Sequence, residues 1–334
     1  MSGAQGATPD ARKIVLMFSG QGSQYYQMGK PLLEQQPLFR DHMERLDRFV
    51  VDRTGASVID QIYSMRSRAE AGFDDITITN PAIFMVEYAL ARTLLDKGLR
   101  VDMTLGASLG SFAAMAISGM LDEKAALAMV IRMANAADAV APRGGMIAVM
   151  APPSLMADKF LQGHSEVAAI NFDSHFVLSA RAEHIDRVES YLAEKDVLFQ
   201  RLPVAFAFHS AAVDCLEERI RNLTAGIHLL PARIPFACCA HARVLTHVPA
   251  DYFWTLLRGP IRFGETGRFL ESQYPYHYID AGPSGTLSTF MKYLLAPEAS
   301  RRIMQTMTPF GNDNDNVSAL IAAFQRPVPG IGEP

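Results

Sequence analysis

A serine framed by glycines is the part of this 334-residue chain with the clearest capacity for chemistry. Residues 105–112 read Leu-Gly-Ala-Ser-Leu-Gly-Ser-Phe, so Gly106, Ser108 and Gly110 form a Gly-x-Ser-x-Gly pattern. A short apolar run at 103–105 precedes it, and a small-residue helical stretch at 111–120 follows. That is the strand–turn–helix setting in which such a serine becomes a nucleophile elbow. The turn is tight and strained, and the two glycines remove side chains that would collide there. The first amides of the next helix then face the serine oxygen and can stabilise an oxyanion. The plainer alternative is a glycine-bounded turn in a packing segment; the flanking strand and helix favour the elbow.

A serine hydroxyl is a weak nucleophile and needs a base within reach. Of the nine histidines, His209 stands out because it closes the run Val204-Ala205-Phe206-Ala207-Phe208 at a strand end. Taken alone, a histidine there is more simply a buried residue satisfied by backbone. A second glycine loop, Ser19 to Gln24, follows the apolar run at 13–18 and lets backbone come close to a neighbour. It is not a phosphate loop, because no Gly-Lys-Ser/Thr follows. Cys238 and Cys239 with His241 lack ligand spacing, so no metal site is expected.

These residues need a scaffold, and the chain is long enough to bury a large core. At 49% hydrophobic and 20% charged it has an ordinary globular composition, and a net charge of -4 favours neither nucleic acid nor anionic membrane as a partner. Three cysteines, two of them adjacent, fit a reduced setting, and no run reaches the length of a membrane span. A cytoplasmic protein is expected, with flexible tails at 1–12 and 326–334.

The run at 13–18 reads as a strand buried on both faces. Helical patterning covers 29–62 and charged loop 66–75; a helix at 81–95 begins with Pro81 in its first turn. A helix at 123–139 follows the elbow. Residues 144–205 then read strand 146–150, helix 154–161, paired strands 167–171 and 176–179, helix 183–195 and strand 197–202. This β-α-β-β-α-β order is that of a ferredoxin-like unit. A helix at 211–223, a strand at 234–239, a helix near 252–257 and a last strand at 278–279 complete the reading. The expected architecture is α/β: an α/β-hydrolase-like large domain at 13–143 and 206–325, with an inserted small domain at 144–205.

Four motifs in order carry a resemblance over about 13–325: Gly20-Gln21-Gly22-Ser23-Gln24, the elbow, Phe208-His209-Ser210, and Gly282-Pro283-Ser284-Gly285. Their order and spacing resemble the malonyl-CoA:acyl-carrier-protein transacylases and the polyketide acyltransferase domains. The resemblance implies that Ser108 takes an acyl group from a thioester, with His209 as general base and then general acid. It implies that His209 is oriented by a backbone carbonyl near Gly259, not by an aspartate. The backbone amides of Gln21 and Leu109 would form the oxyanion hole.

The departures from that family pattern concern the acyl pocket. Its transacylases carry an arginine that grips the malonyl carboxylate with two bonds. Ungapped counting puts Met133 at that position. Arg132 lies one residue, about 100° of helix, away and enters the pocket only if a one-residue deletion realigns it. The usual histidine before the nucleophile is Ala107, the Gln-Pro pair is Asn80-Pro81, and the common glutamate after the elbow is Ser111. Phe206 stands three residues before the base. Met133, Arg132, Phe206, Phe208, Asn80 and Asn171 are therefore the candidate pocket residues, and the pocket is expected to be apolar.

With the stretch Asn171 to Val177, this pattern resembles the acyltransferase homologues of trans-acyltransferase polyketide pathways, a branch that includes acyl hydrolases. His175 is read as structural, since one base suffices. The leading expectation is a discrete acyl hydrolase acting on acyl-carrier-protein thioesters. It needs no bound cofactor, the carrier's phosphopantetheine arriving as part of the substrate. The alternative is a transacylase moving malonyl or a neutral acyl group from coenzyme A to a carrier. A non-catalytic carrier-binding module and an ordinary lipase fit less well, the latter because it calls for an acidic residue between serine and histidine. A monomer is expected.

Overall fold

The computed structural model describes residues 12–64 and 73–324; the expected tails at 1–12 and 326–334, apart from residue 12, and most of the charged loop lie outside them. Among the described residues ten strands form two sheets. They are β1 Ile14–Phe18, β2 Met103–Gly106, β3 Gly144–Val149, β4 Glu166–Phe172, β5 His175–Arg181, β6 Phe199–Arg201, β7 Phe236–Cys238, β8 Arg243–Leu245, β9 His277–Asp280 and β10 Ile303–Gln305.

The larger sheet has the order β10-β9-β1-β2-β7-β8. It is parallel except for the β7–β8 hairpin. All five residues of β1 are buried, as a central parallel strand covered on both faces requires. Phe18 pairs with Gly106 and Met17 with Asp280, so β1, β2 and β9 end at the same edge. The loops leaving those ends carry Gln21, Ser108 and Gly282. Ligands of such sheets bind in the crevice outside the carboxyl ends of the strands.

The smaller sheet, β4-β5-β3-β6, is wholly antiparallel. Helices Lys159–His164 and Ala182–Glu194 connect its strands in β-α-β-β-α-β order. This is a ferredoxin-like unit beside an α/β-hydrolase-like body. Its core of Ile147, Val149, Phe176, Leu178, Val188 and Leu192 is separate from that of the large sheet. Among the described residues no helix is long and apolar enough to cross a membrane.

Several boundaries differ from the sequence reading. The helix expected from Pro81 runs Ile76–Asp96 and encloses the proline. Asp75 caps it by accepting from the Thr77 amide at 2.9 Å, so the cap sets the start. The missing Pro81 amide costs the partly exposed Thr77 carbonyl its donor, which water can replace. The strand at 278–279 is not the last, because β10 pairs outside it at the sheet edge. The segment at 211–223 opens as a 3-10 turn, Ala211–Leu216, before the helix Glu217–Thr224.

Candidate active site

Ser108 leaves β2 on a turn where its own φ is 50°, a left-handed conformation that costs a non-glycine residue about 1–2 kcal/mol. The glycines on either side permit the close packing that holds it. A Cβ at Gly106 would lie 2.4 Å from Ser111 Cα, and one at Gly110 would lie 2.2 Å from the Phe18 carbonyl oxygen. A side chain at Gly110 would push the elbow off β1, and one at Gly106 would push the following helix away from β2.

Ser108 Oγ is 2.8 Å from His209 Nε2. On the far side of the ring, Nδ1 lies 2.7 Å from the carbonyl oxygen of Gly259. That oxygen can only accept, so Nδ1 carries the proton and Nε2 presents its lone pair to the serine hydroxyl. No carboxylate takes part. Burial drives the imidazole pKa down to about 4, the Gly259 bond raises it in part, and the Arg258 charge lowers it further. His209 is therefore neutral at neutral pH, the form a general base needs. It also sits at a left-handed φ, 59°.

The loop after β1 comes within van der Waals distance of the elbow. A Cβ on Gly20 would be 3.0 Å from the Ala107 carbonyl oxygen and 3.1 Å from Ser108 Cβ. Gln21 and Leu109 both line the cavity at Ser108, and neither backbone amide donates to another group of the described residues. Glu87, missed in the sequence, anchors this loop. Its Oε1 accepts from both the amide and the hydroxyl of Ser19 at 2.7 Å. Burial raises its pKa well above the usual carboxylate range, more than the Ser19 bonds lower it. Burial thus disfavours the charged form of this carboxyl. A lone acid in the apolar run Ile83-Phe84-Met85-Val86-Glu87-Tyr88-Ala89-Leu90 was its signal.

Beside Ser108 and His209 opens a cavity of about 60 Å³. Its apolar wall includes Phe112, Val130, Met133, Ala134, Phe208 and Leu256, with Gln21 and Asn80 as the polar contributors. Among the described residues no lysine or arginine lines it. Met133 is buried on the pocket face of the helix Glu123–Val140, whereas Arg132 is exposed on that helix and takes no part in the wall. The realignment that would bring Arg132 inward has not occurred.

Two further candidates stand elsewhere. Phe206 is buried one layer behind Phe208, ring centroids 5.5 Å apart, with the Arg143 guanidinium 4.5 Å from its own ring. A backbone bridge to Arg143 holds it there, so it backs the wall and does not line it. Asn171 is the penultimate residue of β4, and its Nδ2 is 3.0 Å from His175 Nδ1. That pair closes the β4–β5 turn away from the cavity. His175 is stacked on Phe172 at 5.1 Å, a packed and hydrogen-bonded residue that does not line the cavity at Ser108. Sequence reasoning also missed Phe112, Val130 and Leu256, whose apolar spacing has no feature that separates pocket wall from core.

Comparison with known proteins agrees with this geometry. The family model described as "Acyl transferase domain" matches residues 15–319. The chain is 43% identical over 308 residues to the "Polyketide biosynthesis acyltransferase homolog BaeD" of Bacillus velezensis, covering 92% of this chain and 95% of that one. It is 38% identical over 308 residues to the "Polyketide biosynthesis acyltransferase homolog PksD" of Bacillus subtilis, again covering 92% and 95%. Among solved structures, a loading acyltransferase from the avermectin modular polyketide synthase superposes with a TM-score of 0.82 at 26% identity, over 93% of this chain and 99% of that one. With an elbow serine, a carbonyl-oriented histidine and a match spanning nearly its whole length, this chain belongs to the acyl transferase domain family.

Proposed function

We propose that this acyltransferase homologue acts in polyketide biosynthesis by hydrolysing acyl groups from acyl-carrier-protein thioesters. Ser108 Oγ attacks the thioester carbonyl as His209 Nε2 takes its proton. The oxyanion that forms is held by the amides of Gln21 and Leu109. Collapse breaks the C–S bond, and the imidazolium returns the proton to the departing phosphopantetheine thiolate. Water then attacks the Ser108 ester with His209 again as base, releasing the free acid and restoring the hydroxyl. The protein needs no resident cofactor for these steps.

The observation that carries this reading is the wall at Met133. A malonyl carboxylate brought against Met133, Val130 and Phe208 would lose water and gain no cation, at a cost of several kcal/mol. A loader of malonyl needs a partner there, and the exposed Arg132 does not supply one. A neutral acyl group loses nothing in the same place. The names of the relatives, acyltransferase homologues of polyketide biosynthesis, support the pathway class. The second reading, acyl transfer from coenzyme A to a carrier, uses the same residues and differs only in what attacks the acyl-enzyme.

The test is intact mass spectrometry of carrier proteins bearing acetyl, malonyl or longer acyl groups after incubation with this protein. Loss of neutral acyl groups to water, with malonyl carriers at least about tenfold slower, is the expected result; tenfold needs only about 1.4 kcal/mol of discrimination. Efficient movement of malonyl from coenzyme A to carrier, with little hydrolysis, would replace this reading with the second.

A further inference from the structure

The turn that carries His209 is gripped by side chains from the other sheet. Glu166 on β4 and Ser179 on β5 are direct cross-strand partners, which sets both side chains on one face of the small sheet. Ser179 Oγ donates to the carbonyl oxygen of Phe208, the residue before the base. Glu166 Oε1 accepts from the amide of Ala211, two residues after it, at 2.6 Å. The other carboxylate oxygen is 3.2 Å from Nη1 of Arg258, and Arg258 immediately precedes the Gly259 carbonyl that orients the imidazole. That carbonyl is pinned from its other side as well. Ile261 donates to Ala168 at 2.8 Å and accepts from Ile170 at 2.9 Å, adding a rung to the edge of β4.

Such anchoring has a physical reason. A histidine at a φ of 59° stays there only when its surroundings hold it. Freed, the turn would relax toward an ordinary conformation and carry Nε2 away from Ser108. A displacement of about 1 Å can cost two orders of magnitude in rate. The Glu166–Arg258 ion pair is not the main agent, because the two side chains are 44% and 30% exposed and such pairs contribute little. The amide bond to Ala211 and the Ser179 bond to Phe208 bracket the base directly.

We propose that Glu166, together with Ser179, is a positioning residue for His209: the small sheet aligns the base with Ser108 by holding both ends of its turn. The proposal rests on the reading of Ser108 and His209 as nucleophile and base. It makes the small sheet part of the acyl-transfer machinery without giving it a contact to the reacting atoms.

Single-turnover acylation of Ser108 by an acetyl thioester, followed by intact mass across thioester concentrations, tests it. In Glu166→Ala the limiting acylation rate should fall about tenfold while the half-saturating concentration stays put. Glu166→Gln keeps an acceptor for the Ala211 amide and should recover to within about threefold of the parent, leaving the loss assigned to that bond. Ser179→Ala should behave like Glu166→Ala. Parent-like acylation by Glu166→Ala would overturn the proposal. So would equal impairment of the Ala and Gln variants alongside a lowered melting temperature, which marks a general structural role. His209→Ala serves as the separate control: if it acylates as fast as the parent, the base assignment itself fails, whatever Glu166 does.

Discussion

Placing an arginine at position 133 should convert the pocket's preference. Met133 is 9% exposed and lines the cavity that Ser108 and His209 open onto. Its replacement would set a guanidinium where the parent offers only carbon and sulfur. Against a malonyl carboxylate that group gains charge-assisted hydrogen bonds of about 1.5–3 kcal/mol. The unpaired carboxylate of the parent complex disappears at the same time. At about 1.4 kcal/mol per factor of ten, the acetyl-to-malonyl ratio should fall by one to two orders of magnitude, from at least about ten to near unity or below. The new side chain also overpacks a cavity of about 60 Å³, with an expected stability loss of about 1–3 kcal/mol, so melting curves must accompany the kinetics. Hydrolysis and coenzyme A-to-carrier transfer are to be measured for acetyl and malonyl substrates on the parent, Met133→Arg and Arg132→Ala. Since Arg132 is exposed, its alanine variant should leave the ratio within about twofold of the parent. A folded Met133→Arg with an unchanged ratio would refute the reasoning, as would a shift of the ratio in Arg132→Ala.

Three other outcomes follow from the site. Ser108→Ala should give no acyl-enzyme mass and lose several orders of magnitude in turnover, and His209→Ala should slow both acylation and deacylation, whereas His175→Ala should change either step far less; a larger loss at His175 reverses the assignment. Because burial holds the His209 pKa down to about 4, the base stays neutral as pH falls through 6.5, and acylation should decline only on approaching about 4; a midpoint between 6 and 7 in the single-turnover profile would contradict the buried-base picture. Glu87 has its pKa raised above the unfolded value, so its contribution to stability is fully present below the ordinary carboxylate range and is lost as pH rises from that range through the raised value of the folded state. Glu87→Gln should therefore be at least as stable as the parent at pH 7 by denaturant midpoint, while Glu87→Ala, which strips Ser19 of its acceptor, should be less stable by about 1–3 kcal/mol.

What the sequence made legible was local. The run at 13–18 carries its own signature, an unbroken apolar stretch that only a strand covered on both faces needs. The β-α-β-β-α-β order of the small sheet came from alternating periods, and the elbow from two glycines with a strand before them. Elements too short to have a period escaped: β8 and β10 are three residues each, and their neighbours in the sheet, not their composition, make them strands. Pro81 misled because a proline near a helix start reads as the start itself, while the Asp75 cap six residues upstream decides the boundary. Side-chain depth was equally invisible. Phe206 and Phe208 are identical residues two positions apart, yet the bridge to Arg143 puts one behind the other.

The residues that steady the base were the hardest to see, because they depend on register between distant segments. Glu166 reads as an ordinary exposed acid, and Ser179 as a small polar residue in an apolar strand. Only the pairing of β4 with β5, interrupted by irregularities near Ala169 and Asn171, sets both opposite the turn at 208–211. The chemistry explains why such support is needed. Ser108 and His209 both adopt left-handed backbone conformations, each unfavourable by about 1–2 kcal/mol, and they approach from different parts of the chain to within 2.8 Å. The strain at Ser108 is contained by Gly110 packing against the end of β1 and Gly106 packing against the helix after the elbow, without help from the small sheet. The strain at His209 cannot be contained that way, since its turn lies between the two sheets and Gly259 follows on the same border. Loosening that border therefore acts on the Ser108–His209 distance before it acts on either hydrophobic core, and substitutions of Glu166 and Ser179, which face the turn and not the core, should show in acylation rate earlier than in melting temperature.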